Sequence, residues 1–180
     1  MLRRVILVRR KLEIESGYNI FQSITETMLD KAKVPGWTKA NVIEISGNAR
    51  RDRKIIEKEL KDGRIDLVHF TNQDDAWLIP KKIEIPIAIS VHNLFDFRPH
   101  TLDAGDIPIL LGKRNPSSKY LKFMEGCRMG LKRSDLLICS TRMTAEIASE
   151  LFPNNTNSLV RIPVDSDFWN TENDKIDRDE

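Results

Sequence analysis

Cysteine, histidine and long apolar runs are all scarce in this chain of 180 residues, which has two cysteines and three histidines. Cys127 and Cys139 have no CxxC spacing and no ligand-like histidine nearby, which excludes a thiolate metal site and a dithiol redox pair; two buried free thiols in a reducing compartment are expected. His69, His92 and His100 are too scattered to make a metal centre. No apolar run reaches the ~18 residues of a membrane span. Residues 2–8 are too short and too interrupted by arginine for a signal-peptide core, so a cytoplasmic protein without a transmembrane segment is expected. Charge of one sign is also lacking. A net charge of +2 among 31% charged residues gives no global field that would recommend nucleic acid as a partner.

Several nucleotide and acyl-transfer signatures are missing. No GxGxxG follows the first apolar run, no GxxxxGK[ST] occurs, and no GxSxG elbow is present. A phosphoryl-receiver domain would carry acidic residues after its first strand, where this chain has Arg9 and Arg10.

What is present is a rhythm. Short aliphatic runs occur at residues 5–8, 42–45, 67–70, 87–91, 136–139 and 159–162. Helical spacing separates most of them. Ile20, Ile24 and Met28 share one face of a helix beginning after Gly17; Ile55, Ile56 and Leu60 mark a second, ending at Gly63 with a left-handed cap. Asn72 can cap a short third helix with Asp75 in its first turn and Pro80 limiting its length. A fourth starts near Ser117 and buries Tyr120, Met124, Cys127 and Leu131, and the last runs from Arg142 to Leu151, capped by Ser140 or Thr141 and burying Met143, Ile147 and Leu151. Nearly continuous apolar runs alternating with helices predict an α/β protein, a Rossmann-like doubly wound parallel sheet of about six strands with helices on both faces. Residues 93–116 show no clear periodicity and read as a long loop that is functional or mobile. One domain over residues 1–169 and a linker or tail over 170–180 are expected.

In such a sheet, ligands bind where strands end and helix N-termini begin. That edge collects Arg9, Arg10, Ser16 and Gly17 after strand one; Thr71, Asn72 and Gln73 after strand three; His92, Asn93, Asp96 and Arg98 after strand four; Ser140, Thr141 and Arg142 after strand five; and Asp165 after strand six. It suits a multi-hydroxyl or phosphorylated ligand. Gly17 serves a tight turn and is also a place where a ligand can approach the backbone. His69, inside an apolar run, reads as a hydrogen-bonded core histidine, whereas His92 stands just past its strand, in a site position. Asp165 is either a turn former or a site residue.

Four segments, in order, resemble the N-terminal domain of GT-B fold, retaining, nucleotide-sugar-dependent glycosyltransferases, the group of glycogen synthases and phosphatidylinositol mannosyltransferases. They are Ser16-Gly17 before the first helix, Asp66-Leu67-Val68-His69, Ile89-Ser90-Val91-His92-Asn93, and Ser134-Asp135-Leu136-Leu137-Ile138-Cys139-Ser140, with Val164 to Trp169 similar to the segment before the interdomain linker. The family's paired glycines are here Gly17 alone, and its Asn-Gly before Val-Asp is replaced by Ile162-Pro163.

The resemblance implies an acceptor-side half-domain that works with a donor-binding half or partner subunit and is inactive alone. Its ligands would be a nucleotide-sugar donor and an acceptor. It further implies His92 as the catalytic residue beside the transferred sugar, the backbone at Gly17 against the donor phosphates or the acceptor, and no metal or other cofactor; with Gly17, the strand-end residues Asn72, Asn93, Ser140, Arg142 and Asp165 make up the expected substrate-binding set. A sugar-nucleotide epimerase-like domain and a non-catalytic binding or regulatory domain of the same fold stay open.

Overall fold

The computed structural model describes residues 2–10, 17–31, 33–104, 107–113 and 115–161. The tail at 170–180, Asp165, Ser16 and residue 162 of the sixth run lie outside the described residues.

Among the described residues, eight strands and four α-helices follow one another as β1 (Arg3–Arg10), α1 (Gly17–Asp30), β2 (Trp37–Ile45), α2 (Ala49–Asp62), β3 (Leu67–Phe70), a 3₁₀ helix (Gln73–Leu78), β4 (Ile87–Val91), β5 (His100–Ala104), β6 (Ile107–Leu111), α3 (Ser118–Arg133), β7 (Leu136–Cys139), α4 (Arg142–Leu151) and β8 (Thr156–Leu159). Six strands form one sheet in the order β2-β1-β3-β4-β7-β8. Every pairing in it is parallel. The fold is therefore the α/β, doubly wound, Rossmann-like sheet that the aliphatic runs predict.

The alternation of strand side chains separates two faces. Val5 and Leu7 pack with Leu29 of α1 on one side. Ile6, Val8, Val68, Phe70, Ile87, Ile89, Leu137 and Cys139 pack on the other, with Ile56 of α2, Leu131 of α3, and Ile147 and Ala148 of α4. Winding thus reverses between β1 and β3, and the switch point of the sheet lies at their C-terminal ends.

Local capping agrees with the sequence at three helices. The side chains of Asn72, Ser117 and Thr141 accept from the backbone N–H of Asp74, Tyr120 and Thr144. Elsewhere the structure corrects the expectation. Gly63 is extended (φ −135°, ψ 152°), so α2 ends without a left-handed cap. Met28 and Met143 are exposed, because the covered stripe of α1 runs through Gln22 and Leu29 and that of α4 through Thr144, Ile147 and Ala148. The sixth strand lies at 156–159, where the sheet edge pairs Asn157 and Ser158 with β7 without demanding apolar side chains. The segment at 93–116 is not featureless: β5 and β6 form an antiparallel hairpin outside the main sheet.

Candidate functional site

Parallel pairing brings the strand ends to one rim, where the chain turns polar. β1 ends in Arg9-Arg10; Thr71 to Asp75 follow β3; His92 and Asn93 follow β4; Ser140 and Thr141 follow β7. These residues are joined by hydrogen bonds between elements distant in the chain. The carbonyl of Thr71 faces His92 Nε2 at 3.1 Å, so that nitrogen carries the proton and donates. The backbone N–H of His92 donates to Gln73 Oε1 at 2.9 Å. The carbonyl of His92 accepts from Ser140 Oγ at 3.2 Å and from Thr144 Oγ1 at 3.4 Å. On the other side, Thr71 Oγ1 donates to the Val8 carbonyl at 3.2 Å and accepts from Gln22 Nε2 at 2.7 Å. His92 is thus the knot that ties β3, the 3₁₀ helix, β4 and the start of α4.

Burial lowers the pKa of His92 from its ordinary value, against the opposing pull of the Thr71 carbonyl and the Asp74 charge. The ring is half-buried and neutral at pH 7. One turn away, Asp75 is fully buried, and its Oδ1 receives Arg10 Nε at 2.7 Å and Nη2 at 2.6 Å. Its Oδ2 has no hydrogen-bond partner, and neither has Oε1 of the buried Gln22. Burial pushes the Asp75 carboxyl up to about 6, and the Arg10 charge pulls the other way.

Of the residues singled out in the sequence, the network brings together His92, Ser140 and the Asn72-Gln73 turn. Asn72 spends its side-chain oxygen on the N–H of Asp74. Asn93 is half-buried beside His92, and Arg142 is exposed as the first residue of α4. Gly17 is the first residue of α1. Gln22 and Asp75 were not visible as site residues in the sequence; a glutamine on an otherwise covered helix stripe was the one available signal.

Three residues of the family-like segments have structural work. Asp66 Oδ2 accepts from Arg4 N–H at 2.8 Å, and Asp135 Oδ2 accepts from Ile87 N–H at 2.8 Å, each pinning the start of a neighbouring strand. His69 is buried and bonded through Nε2 to Ser90 Oγ at 2.8 Å, the core histidine expected of it. Among the described residues, no group of three or more His, Cys, Asp or Glu is placed to hold a metal, and no helix is long and apolar enough to cross a membrane.

No protein-family model matches the chain, and no curated protein matches it in sequence. Among solved structures it is similar to UGT73P12 of Glycyrrhiza uralensis, crystallised with glycyrrhetinic acid 3-O-monoglucuronide, at 7% identity and a TM-score of 0.49, over 89% of this chain and 49% of that one. The chain spans about half the length of that protein.

Proposed function

We propose that the chain is the acceptor-side half of a glycosyltransferase that moves a sugar from a nucleotide-sugar donor to an acceptor, with the donor held by a second domain or subunit. The observation that carries this reading is the rim knotted around His92, a half-buried imidazole at the end of β4 with hydroxyl, amide and guanidinium groups on the adjoining strand ends. A sugar exposes many hydroxyls, and each needs a partner when it leaves water. A neutral imidazole suits a position beside the transferred ring, because it hydrogen-bonds without placing positive charge next to an oxocarbenium-like centre. In this reading His92 is the catalytic residue. Asn72, Asn93, Ser140, Arg142 and Gly17 line the substrate cleft, Asp165 is a further candidate for substrate binding by the sequence resemblance alone, and the leaving diphosphate is stabilised by the donor half.

A second reading, a non-catalytic domain of the same fold, draws on the commitment of Nε2 of His92 to Thr71 and of the Asn72 side chain to its own turn.

The test is titration calorimetry of the full chain with UDP- and GDP-sugars and with sugar and lipid acceptors, alone and with candidate donor-binding proteins, followed by product analysis. Transfer to an acceptor that falls at least ~100-fold in His92→Ala, with a loss of stability no larger than the ~1 kcal/mol of its one hydrogen bond to Thr71, is the expected result. Inversion within the sugar would assign an epimerase instead. Silence under every condition would leave the non-catalytic reading.

A further inference from the structure

A large groove of the described residues lies away from the rim. It lies between α2 and α3, has a volume of about 1430 Å³, and is floored by the stretch that joins β3 to β4. Its origin is topological. On this face of the sheet the crossovers from β2, β4 and β7 are made by α2, α3 and α4, but the crossover from β3 is made by the six-residue 3₁₀ helix and an irregular run at 79–86. Gly126 and Gly130 let α3 settle directly on that low crossover. The layer is therefore one α-helix short between α2 and α3.

Size and chemistry both describe an occupant. Ten residues of α-helix, about 15 Å long and 10 Å across, fill roughly 1200 Å³. The floor is apolar, made by Leu60, Trp77, Ile79, Ile83, Ile85 and Met129, of which Met129 is 48% exposed. The lining is also basic, with Arg53 and Lys61 of α2, Arg133 of α3 and Lys81 and Lys82 of the crossover against Glu57 and Glu84. Two of these cations are already held in place. Arg53 donates to the Trp77 carbonyl and stacks 5.7 Å above the Trp77 ring. Arg133 donates to the carbonyls of Ile79 and Pro80 at 3.0 and 3.3 Å. Partial burial lowers the Arg133 pKa and the charge of Arg53 lowers it further, so an anion received near both relieves their repulsion. Guanidinium groups fixed beforehand lose little freedom when a carboxylate arrives.

We propose that this groove docks an amphipathic helix of a partner protein, one with an apolar stripe at i, i+3, i+4 and i+7 flanked by Asp and Glu. The concave floor between two raised helices fits a rod and does not lie flat on a membrane. The inference is independent of the sugar-transfer reading, since none of its residues belongs to the rim.

The test uses the full chain and three fluorescein-labelled 18-residue peptides: a leucine-striped helix with glutamate flanks, the same stripe with lysine flanks, and a scrambled version of the first. Fluorescence anisotropy should show binding of the glutamate peptide, weakening with added salt, and binding at least ~10-fold weaker for the other two. Met129→Asp, and separately the double variant Lys81→Glu with Lys82→Glu, should each weaken the glutamate peptide about 10-fold or more. All three positions are exposed, so the melting temperature serves as the folding control. Equal affinity for the lysine or scrambled peptide, no binding of the glutamate peptide at millimolar concentration, or unchanged affinity in both variants would overturn the proposal. So would a groove that ignores all three peptides yet binds phosphatidylserine vesicles in a Met129-dependent way.

Discussion

Gly130 and the carbonyl of Ala76 meet so closely that a β-carbon on Gly130 would stand 1.9 Å from that oxygen and 2.9 Å from the Ala76 β-carbon. This approach lets α3 lie flat on the 3₁₀ crossover and bury Cys127 and Leu131 beneath it. Gly130→Ala pushes α3 off a backbone that cannot give way. Overpacking of this kind costs about 3 kcal/mol, more than the ~1 kcal/mol that alanine gains over glycine in a helix. At Gly126 the nearest contact would be the Trp77 β-carbon at 3.2 Å, so Gly126→Ala should stay within ~1 kcal/mol of wild type. Urea denaturation of both variants decides it, and equal midpoints would refute the packing argument.

The two thiols give a second, simpler expectation. Cys127 and Cys139 are fully buried, and burial pushes their pKa values up to about 12 and about 11. The thiolate is the reactive form, so neither should react with dithiobis-nitrobenzoate in native buffer at pH 8, and both should react at once in urea. A rapid native reaction of one thiol would show that α3 or β7 opens locally.

Much of this architecture was legible in the chain, for physical reasons that differ by element. Strands covered on both faces must be aliphatic throughout, which is why β1, β3, β4 and β7 stood out as runs. Caps are local, so Asn72, Ser117 and Thr141 could be recognised from their neighbours. β8 was misplaced because an edge strand tolerates Asn157 and Ser158. The exposure of Met28 and Met143 depends on which stripe of each helix meets the sheet, and that is decided by partners far away in sequence. The same holds for the site. His92 and Ser140 could be found as strand ends, whereas the bonds of Thr71 to Gln22 and of Arg10 to Asp75 span 49 and 65 positions and leave no local trace. The α2–α3 groove exists only because one crossover lacks a full helix, a fact about spacing between elements.

Arg10 is the only cation bonded to a fully buried carboxylate among the ion pairs of the described residues. Arg10→Met would leave Asp75 buried with no positive partner among the described residues; because the Arg10 side chain is itself 42% exposed, solvent screening reduces the cost below that of a wholly buried pair, to about 2 kcal/mol. The loss must depend on pH. The folded pKa of Asp75, about 6, is above its ordinary 3.8, so the folded state holds the proton more tightly and stability falls as pH rises through the folded value. Without Arg10 that value climbs further. The penalty of Arg10→Met should therefore be large at pH 8 and shrink by pH 5, as measured by thermal melts at both pH values. A penalty that does not change with pH would mean that Asp75 never carries the charge assigned to it.

His69 works in the opposite direction over nearly the same range. Burial, with a smaller contribution from His92, lowers its pKa to about 4 from 6.5. The unfolded chain then binds the proton more tightly, so the stability that depends on neutral His69 is complete above pH 6.5 and is lost as pH falls towards 4, about 3 kcal/mol in all. Asp75 gains a similar amount over that interval, which should make the wild-type profile unusually flat between pH 4 and 6.5. Replacing His69 by glutamine, which can still bond Ser90, removes one limb and leaves the other. The His69→Gln variant should gain stability on acidification while wild type does not, and the difference between them should move by about 3 kcal/mol between pH 7 and pH 4. Parallel profiles for the two proteins, or an imidazole resonance of His69 titrating near 6.5 in the folded state, would contradict its burial as a neutral partner of Ser90.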